Sequence, residues 1–248
     1  MEDIREVDGM KLIIDWDLNH QMAFVFEIPT EEVRKIIPKS TGLNPYEVRP
    51  GVATMFLGYN DYNPGNEIYG EKQPAFKEIT RVFMVQPNLS VNMPIPRFTF
   101  YMHRIASNNL PFVKQEADKL HLPTFYSPNM EVITNEDHTS AVARDEQGIL
   151  QEWKNTNPNV KYYDDSFFGQ YYVVENNKLY FGVFYWAGKV FTHQKHGDGG
   201  GIYEHPYLTE MEKRMPASSV GAPYLQMITT YGQPLVQRFY EPRLIREL

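Results

Sequence analysis

The sequence predicts a mainly β (α+β) domain: an antiparallel sheet closed, or nearly closed, into a barrel around a central cavity, with a few short helices. Three observations carry this. Apolar runs of strand length recur along the chain between Gly, Pro and Asn clusters, and helical periodicity is confined to two short stretches. So many strands in 248 residues leave long unpaired edges unless the sheet closes on itself. No internal repeat and no low-complexity linker is present, so residues 1–248 are read as one domain.

The first dense apolar run is "MAFVFEI" at 22–28, a strand. In "PTEEVRKIIP", Pro29 and Thr30 open a short helix and Pro38 closes it. That helix buries Val33, Ile36 and Ile37 and leaves Glu31, Glu32, Arg34 and Lys35 to water. Strands follow at 51–62, 76–87 and 97–106, then a second helix at 111–121. "NMEVITNEDHTSAVARDEQGIL" reads as a hairpin pair, and "GQYYVVENNKLYFGVFYWAGKVFT" as two aromatic-rich strands turning at Asn176 and Asn177. Residues 195–206 read as a mobile loop, because three consecutive glycines offer nothing to pack. "MPASSVGAPYLQMITTYGQPLVQRFYEP" supplies one or two more strands, and "RLIREL" a terminal helix or tail.

Composition narrows the function. The chain is 42% hydrophobic, 14% aromatic and 22% charged, an ordinary globular balance. A net charge of −7 with no basic run leaves little electrostatic footprint for a phosphate backbone, and no nucleic-acid partner is expected. The absence of cysteine excludes disulfides, thiolate nucleophiles and Cys-based metal sites. An acidic N-terminus and no apolar run of membrane-spanning length point to a cytoplasmic protein with no membrane partner. No Ser-centred nucleophile elbow supports hydrolase chemistry.

Glu78 is the main candidate for chemistry. Alternation in "FKEITRVFMV" puts Phe76, Glu78, Thr80 and Val82 on one face and Lys77, Ile79, Arg81 and Phe83 on the other. If the first face lines a cavity, desolvation raises the Glu78 pKa and suits it to acid or base work. If it faces solvent, Glu78 is an ordinary surface carboxylate. His103 and Arg104 are candidates to polarise a substrate. Tyr171, Val173, Phe181, Val183 and Tyr185 either fill a core or line a large apolar pocket. His193, His196, Asp198, Glu204 and His205 are metal-ligand types, but they read as a slack polar loop, and no metal or other cofactor is expected.

Three stretches in order resemble the acetoacetate decarboxylase family: "FEIPTEEVRKIIPKSTGLNPYEVRPGVATMFLGYNDY", "QPAFKEITRVFMVQP" and "LPFVKQEADKLHLP". The resemblance implies an acetoacetate-decarboxylase-like barrel, often a homo-oligomer, in which a lysine forms an imine with a small-molecule carbonyl substrate. In it Phe76 stands for a family tyrosine, Glu78 for its glutamate, and Glu116 falls near a missing Gly-Arg-Glu start. Lys119 matches the second lysine of the family's pair, and Asp118 takes the place of the nucleophilic first. Asn19 and His20 stand where the family carries an arginine.

An amine must be unprotonated to attack a carbonyl. An Asp118 carboxylate about 6 Å away at an effective dielectric near 20 would favour the Lys119 ammonium by roughly 3 kcal/mol. Lys119 is thus either an imine former with Asp118 turned away, or a cation completing a helix C-terminus. The resulting readings are a lyase, isomerase or cyclase using Glu78 with Lys119, an acid/base or electrophilic catalyst without a Schiff base, and a binding pocket for an apolar small molecule.

Overall fold

The computed structural model describes residues 4–68, 70–86, 96, 98–115, 119–134, 140–145, 148–154, 163–193, 200–202 and 224–248. The chain begins with β1 (Glu6–Val7) and β2 (Met10–Pro29). Next come α1 (Thr30–Ile36), β3 (Glu47–Arg49), β4 (Val52–Tyr62), β5 (Glu67–Ile68), β6 (Glu71–Lys72), β7 (Phe76–Met84) and β8 (Phe98–Ser107). After α2 (Leu110–Gln115) follow β9 (Thr124–Tyr126), β10 (Glu131–Thr134), β11 (Ser140–Asp145), β12 (Gly148–Lys154), β13 (Tyr163–Glu175), β14 (Lys178–His193), β15 (Gly200–Ile202), β16 (Tyr224–Tyr240) and β17 (Arg243–Glu247).

Seven strands close a barrel in the order β2, β4, β7, β8, β13, β14, β16 and back to β2. The closure is as expected, but the sheet is not wholly antiparallel: β8 pairs with β13, and with β9, in parallel. The long chain between β8 and β13, which carries α2 and the start of a separate sheet, allows that crossover. The separate sheet has the order β10-β11-β12-β15.

The barrel wall is covered on both sides. Outside, Val33 and Ile37 of the α1 region, Leu43 and Val132 share one buried cluster with Tyr59, Phe83, Phe181 and Val183. Inside, Trp16, Tyr62, Phe76, Val82, Tyr171, Phe184 and Phe239 form a second. The hairpin between β13 and β14 fixes which residues go where. Asn176 and Asn177 both adopt positive φ, 49° and 60°, the turn that a two-residue hairpin requires. That turn pairs Glu175 with Lys178, and so Tyr171 with Gly182 and Gly169 with Phe184.

In both pairs a ring lies over the opposite glycine. A Cβ at Gly182 would sit 2.1 Å from the Tyr171 ring, and one at Gly169 2.1 Å from the Phe184 ring. Gly182→Ala is therefore expected to lower stability by about 1–3 kcal/mol, read as a drop in the urea midpoint with an unchanged slope.

Several elements differ from the sequence expectation. β2 starts at Met10, twelve residues before the apolar run, because its first half alternates charged residues with core residues such as Ile14, Trp16 and Leu18. The second helix is described only as Leu110–Gln115, with a π-type turn at 119–120. Gly200–Ile202, expected in a loop, pairs with Gln151–Trp153 of β12. The C-terminal "RLIREL" is neither helix nor tail, since Arg243–Glu247 extends the sheet along Lys178–Phe181. A strand end that finds backbone partners on a sheet edge overrides weak helical preference. No helix among the described residues is long and apolar enough to cross a membrane.

Candidate functional site

A cavity of about 120 Å³ opens inside the barrel. Its walls are largely aromatic, with Trp16, Phe56, Phe100, Phe184, Trp186 and Phe239 among them. Apart from Thr80, its polar side chains come from two rows across the sheet. In the first, Gln21 on β2, Asn60 on β4 and Glu78 on β7 are direct cross-strand partners. In the second, Trp186 on β14, Gln237 on β16 and Trp16 on β2 are partners in the same way.

Glu78 is 5% exposed and accepts three hydrogen bonds at one oxygen. Oε1 takes donors from Thr80 Oγ1 at 2.7 Å, Asn60 Nδ2 at 2.9 Å and the Tyr62 hydroxyl at 3.3 Å. Oε2 receives no hydrogen bond among the described residues. Burial pushes the Glu78 carboxyl above the ordinary carboxylate range, and the hydrogen bonds from Thr80, Asn60 and Tyr62 only partly oppose that.

A donor-only group fixes the orientation of the network. Trp186 Nε1–H can only donate, and it reaches Gln21 Oε1 at 3.1 Å. Gln21 must then present Nε2 to Asn60 Oδ1, at 2.6 Å, which turns Asn60 Nδ2 toward Glu78. Oε1 is thus held as an acceptor, and a neutral Glu78 carries its proton on Oε2. The Tyr62 hydroxyl also lies 3.3 Å from Gln237 Oε1, so its single proton serves the acid or the amide. Gln237 Nε2 makes no hydrogen bond among the described residues.

The expected site residues divide as follows. Glu78, Thr80 and Val82 face the cavity, in the phase that alternation predicts. Phe76 shares that phase but is not in the cavity wall; it stacks on Tyr62 at 4.3 Å and packs on Phe112 at 4.7 Å. Tyr171 faces inward and is fully buried, over Gly182 and beside Phe239. Phe181 and Tyr185 belong to the outer layer, and Phe184 and Trp186 line the cavity instead. The two-residue turn, read as register rather than as alternation alone, carries that information: a residue pairs with the one whose number completes 353, as in 175 and 178.

His103 and Arg104 also lie away from the cavity. His103 is the bulge residue between the Arg81–Arg104 and Val82–Met102 pairs, and its ring packs 5.5 Å from Phe83. Arg104 lies over the Phe125 ring. Burial, then the charges of Arg81 and Arg104, bring the His103 pKa down to about 4. The fold therefore favours neutral His103, and this contribution to stability is present above pH 6.5 and lost as pH falls toward 4. His103→Gln should flatten that acid-side fall in melting temperature.

Lys119 is exposed and does not line the cavity. Glu116 and Asp118 lie outside the described residues, as do His196, Asp198, Glu204 and His205 of the histidine-rich stretch. Among the described residues, no cluster of three or more His, Cys, Asp or Glu could hold a metal ion. Gln21, Asn60, Tyr62 and Gln237 had no role in the sequence reading. The signal for them was polar residues embedded in apolar strands, as in "TMFLGYNDY" and "PLVQRFY".

No protein-family profile and no curated protein matches the chain. Solved structures do. An acetoacetate decarboxylase superposes with a TM-score of 0.60 at 10% identity, over 95% of this chain and 90% of that one. The acetoacetate decarboxylase of Legionella pneumophila gives 0.57 at 7% identity, over 100% and 93%. The enduracididine biosynthesis enzyme MppR, complexed with pyruvate, gives 0.57 at 9% identity, over 94% and 91%. The chain has the acetoacetate decarboxylase fold.

Proposed function

We propose that this barrel is an acid/base enzyme acting on a small, largely apolar carbonyl compound, with Glu78 as its catalytic acid and no imine. The observation that carries the reading is the one-sided Glu78 carboxyl: Thr80, Asn60 and the shared Tyr62 hydroxyl on Oε1, no donor on Oε2 among the described residues, in a largely apolar cavity. A carboxyl whose protonated form burial favours can donate Oε2–H to a carbonyl oxygen while water takes the α-proton, giving an enol and a Glu78 carboxylate that is then reprotonated from that hydronium. In the reverse direction the carboxylate takes the proton back. Lyase and isomerase reactions adjacent to a carbonyl share this requirement.

An imine needs a neutral amine within reach of the carbonyl. Support for a mechanism without one comes from Lys119 being exposed and absent from the cavity wall. Lys77, the neighbour of Glu78 in sequence, pairs with Asp61 on the other side of the barrel wall. Lys119→Ala is expected to leave turnover within twofold of the parent. A stable adduct on Lys119 after borohydride treatment with a carbonyl compound, located by peptide mapping, would contradict this reading. The assay for the activity itself is deuterium uptake at the α-carbon of simple ketones and aldehydes in D2O, followed by proton NMR.

A further inference from the structure

We propose that the cavity selects an uncharged, flat, one-ring carbonyl compound, gripped at its oxygen by Glu78 Oε2–H and Gln237 Nε2–H together, and rejects carboxylates. This rests on the preceding reading in taking the cavity as the substrate site and Glu78 as protonated on Oε2. Size is the first argument. An engineered apolar cavity of about 150 Å³ binds benzene, so a cavity of about 120 Å³ has room for no more than one six-membered ring, and the carbonyl group must lie at its polar rim.

The second argument is the pair of donors. Tyr62 ties Glu78 and Gln237 together, with its hydroxyl 3.3 Å from an oxygen of each. Glu78 uses Oε1, and Gln237 uses its own Oε1, so each is left with its other terminal atom for a ligand. A carbonyl oxygen has two lone pairs and matches two donors. Trp186 and Trp16 flank Gln237 across the sheet, which orients a flat ring beside the amide.

The third argument is charge. Gln21 and Asn60 spend donors on their neighbours in the network, and the wall's one ionisable group among the described residues is an acid. A carboxylate entering here faces Glu78 with no cation among the described residues of the wall to compensate its lost hydration, which costs several kcal/mol.

The test is binding, read by quenching of tryptophan fluorescence and by calorimetry at pH 7, with benzaldehyde, toluene, benzoate and pyruvate as probes. Benzaldehyde should bind, and benzoate and pyruvate should bind on the order of 100-fold more weakly or not at all. Gln237→Leu, with Gln237→Met as a second variant, should weaken benzaldehyde roughly tenfold and leave toluene unchanged, which also reports that the cavity is intact. Equal binding of benzoate and benzaldehyde, equal weakening of toluene and benzaldehyde, or no binding of any ring compound would overturn the proposal. Because no turnover is read, failure of Glu78 as a catalyst would leave this result standing, and failure here would leave an acid catalyst for some other substrate.

Discussion

Glu78→Gln is expected to lower α-deuterium exchange by a factor on the order of 10²–10⁴, the usual share of a positioned acid or base, while the protein stays folded. The amide keeps the shape and leaves an oxygen for Thr80, Asn60 and Tyr62 to donate to, but it cannot give up a proton. The same variant has a stability signature with a definite sign. Burial raises the folded-state pKa of Glu78 above 4.5, so the fold favours the protonated form. That contribution is full below pH 4.5 and is lost as pH rises through the folded pKa. The melting temperature of Glu78→Gln relative to the parent should therefore increase as pH is raised above 4.5. A pH-independent offset would mean that Glu78 titrates as an ordinary carboxylate.

Phe76→Ala is expected to lower stability by about 3–5 kcal/mol, the usual cost of emptying a phenylalanine site in a packed core. Phe76 is 2% exposed and is stacked on Tyr62, tilted against Phe112 and edge-on to Trp16, so the space it leaves has rings on several sides. Its effect extends to the site through Tyr62, whose hydroxyl touches both Glu78 and Gln237. Phe76→Leu should retain most of the stability and still lower turnover, because the stacked face that positions the phenol is gone. Chemical denaturation measures the first effect, and deuterium exchange on the folded variant measures the second. A substrate-contacting Phe76 would behave differently, raising KM with little loss of stability.

The barrel was legible because its strands are marked by apolar alternation and by glycine, proline and asparagine punctuation, and closure of the sheet followed from the need to cover its edges. Glu78 was legible for the same reason, as a carboxylate in phase with Thr80 and Val82. What alternation cannot supply is the relation between strands. It offered Tyr171, Phe181 and Tyr185 as one face, either core or pocket, although the turn at Asn176 and Asn177 puts Phe184 and Trp186 in the pocket. It also missed the bulge at His103, which turns Arg104 outward although it is in phase with Phe98, Phe100 and Met102 of the cavity wall; His103 is out of that phase in any case. The ladder from Trp186 through Gln21 and Asn60 to Glu78 joins residues up to 165 positions apart, which only closure of the barrel brings together. Family resemblance, in turn, drew attention to Lys119, yet the segment that follows it gives the cavity wall Leu122 and not the lysine.

Glu78 is, on this account, a cavity-facing acid whose protonated form the fold favours. The most direct measurement is a pH titration of the protein with ¹³C-labelled glutamate carboxyl carbons, assigning Glu78 as the resonance missing from Glu78→Gln. The account predicts a resonance whose inflection lies above that of the other glutamates and moves toward 4.5 when Phe100→Asn lets water into the cavity. An inflection at or below 4.5 in the parent protein would contradict it.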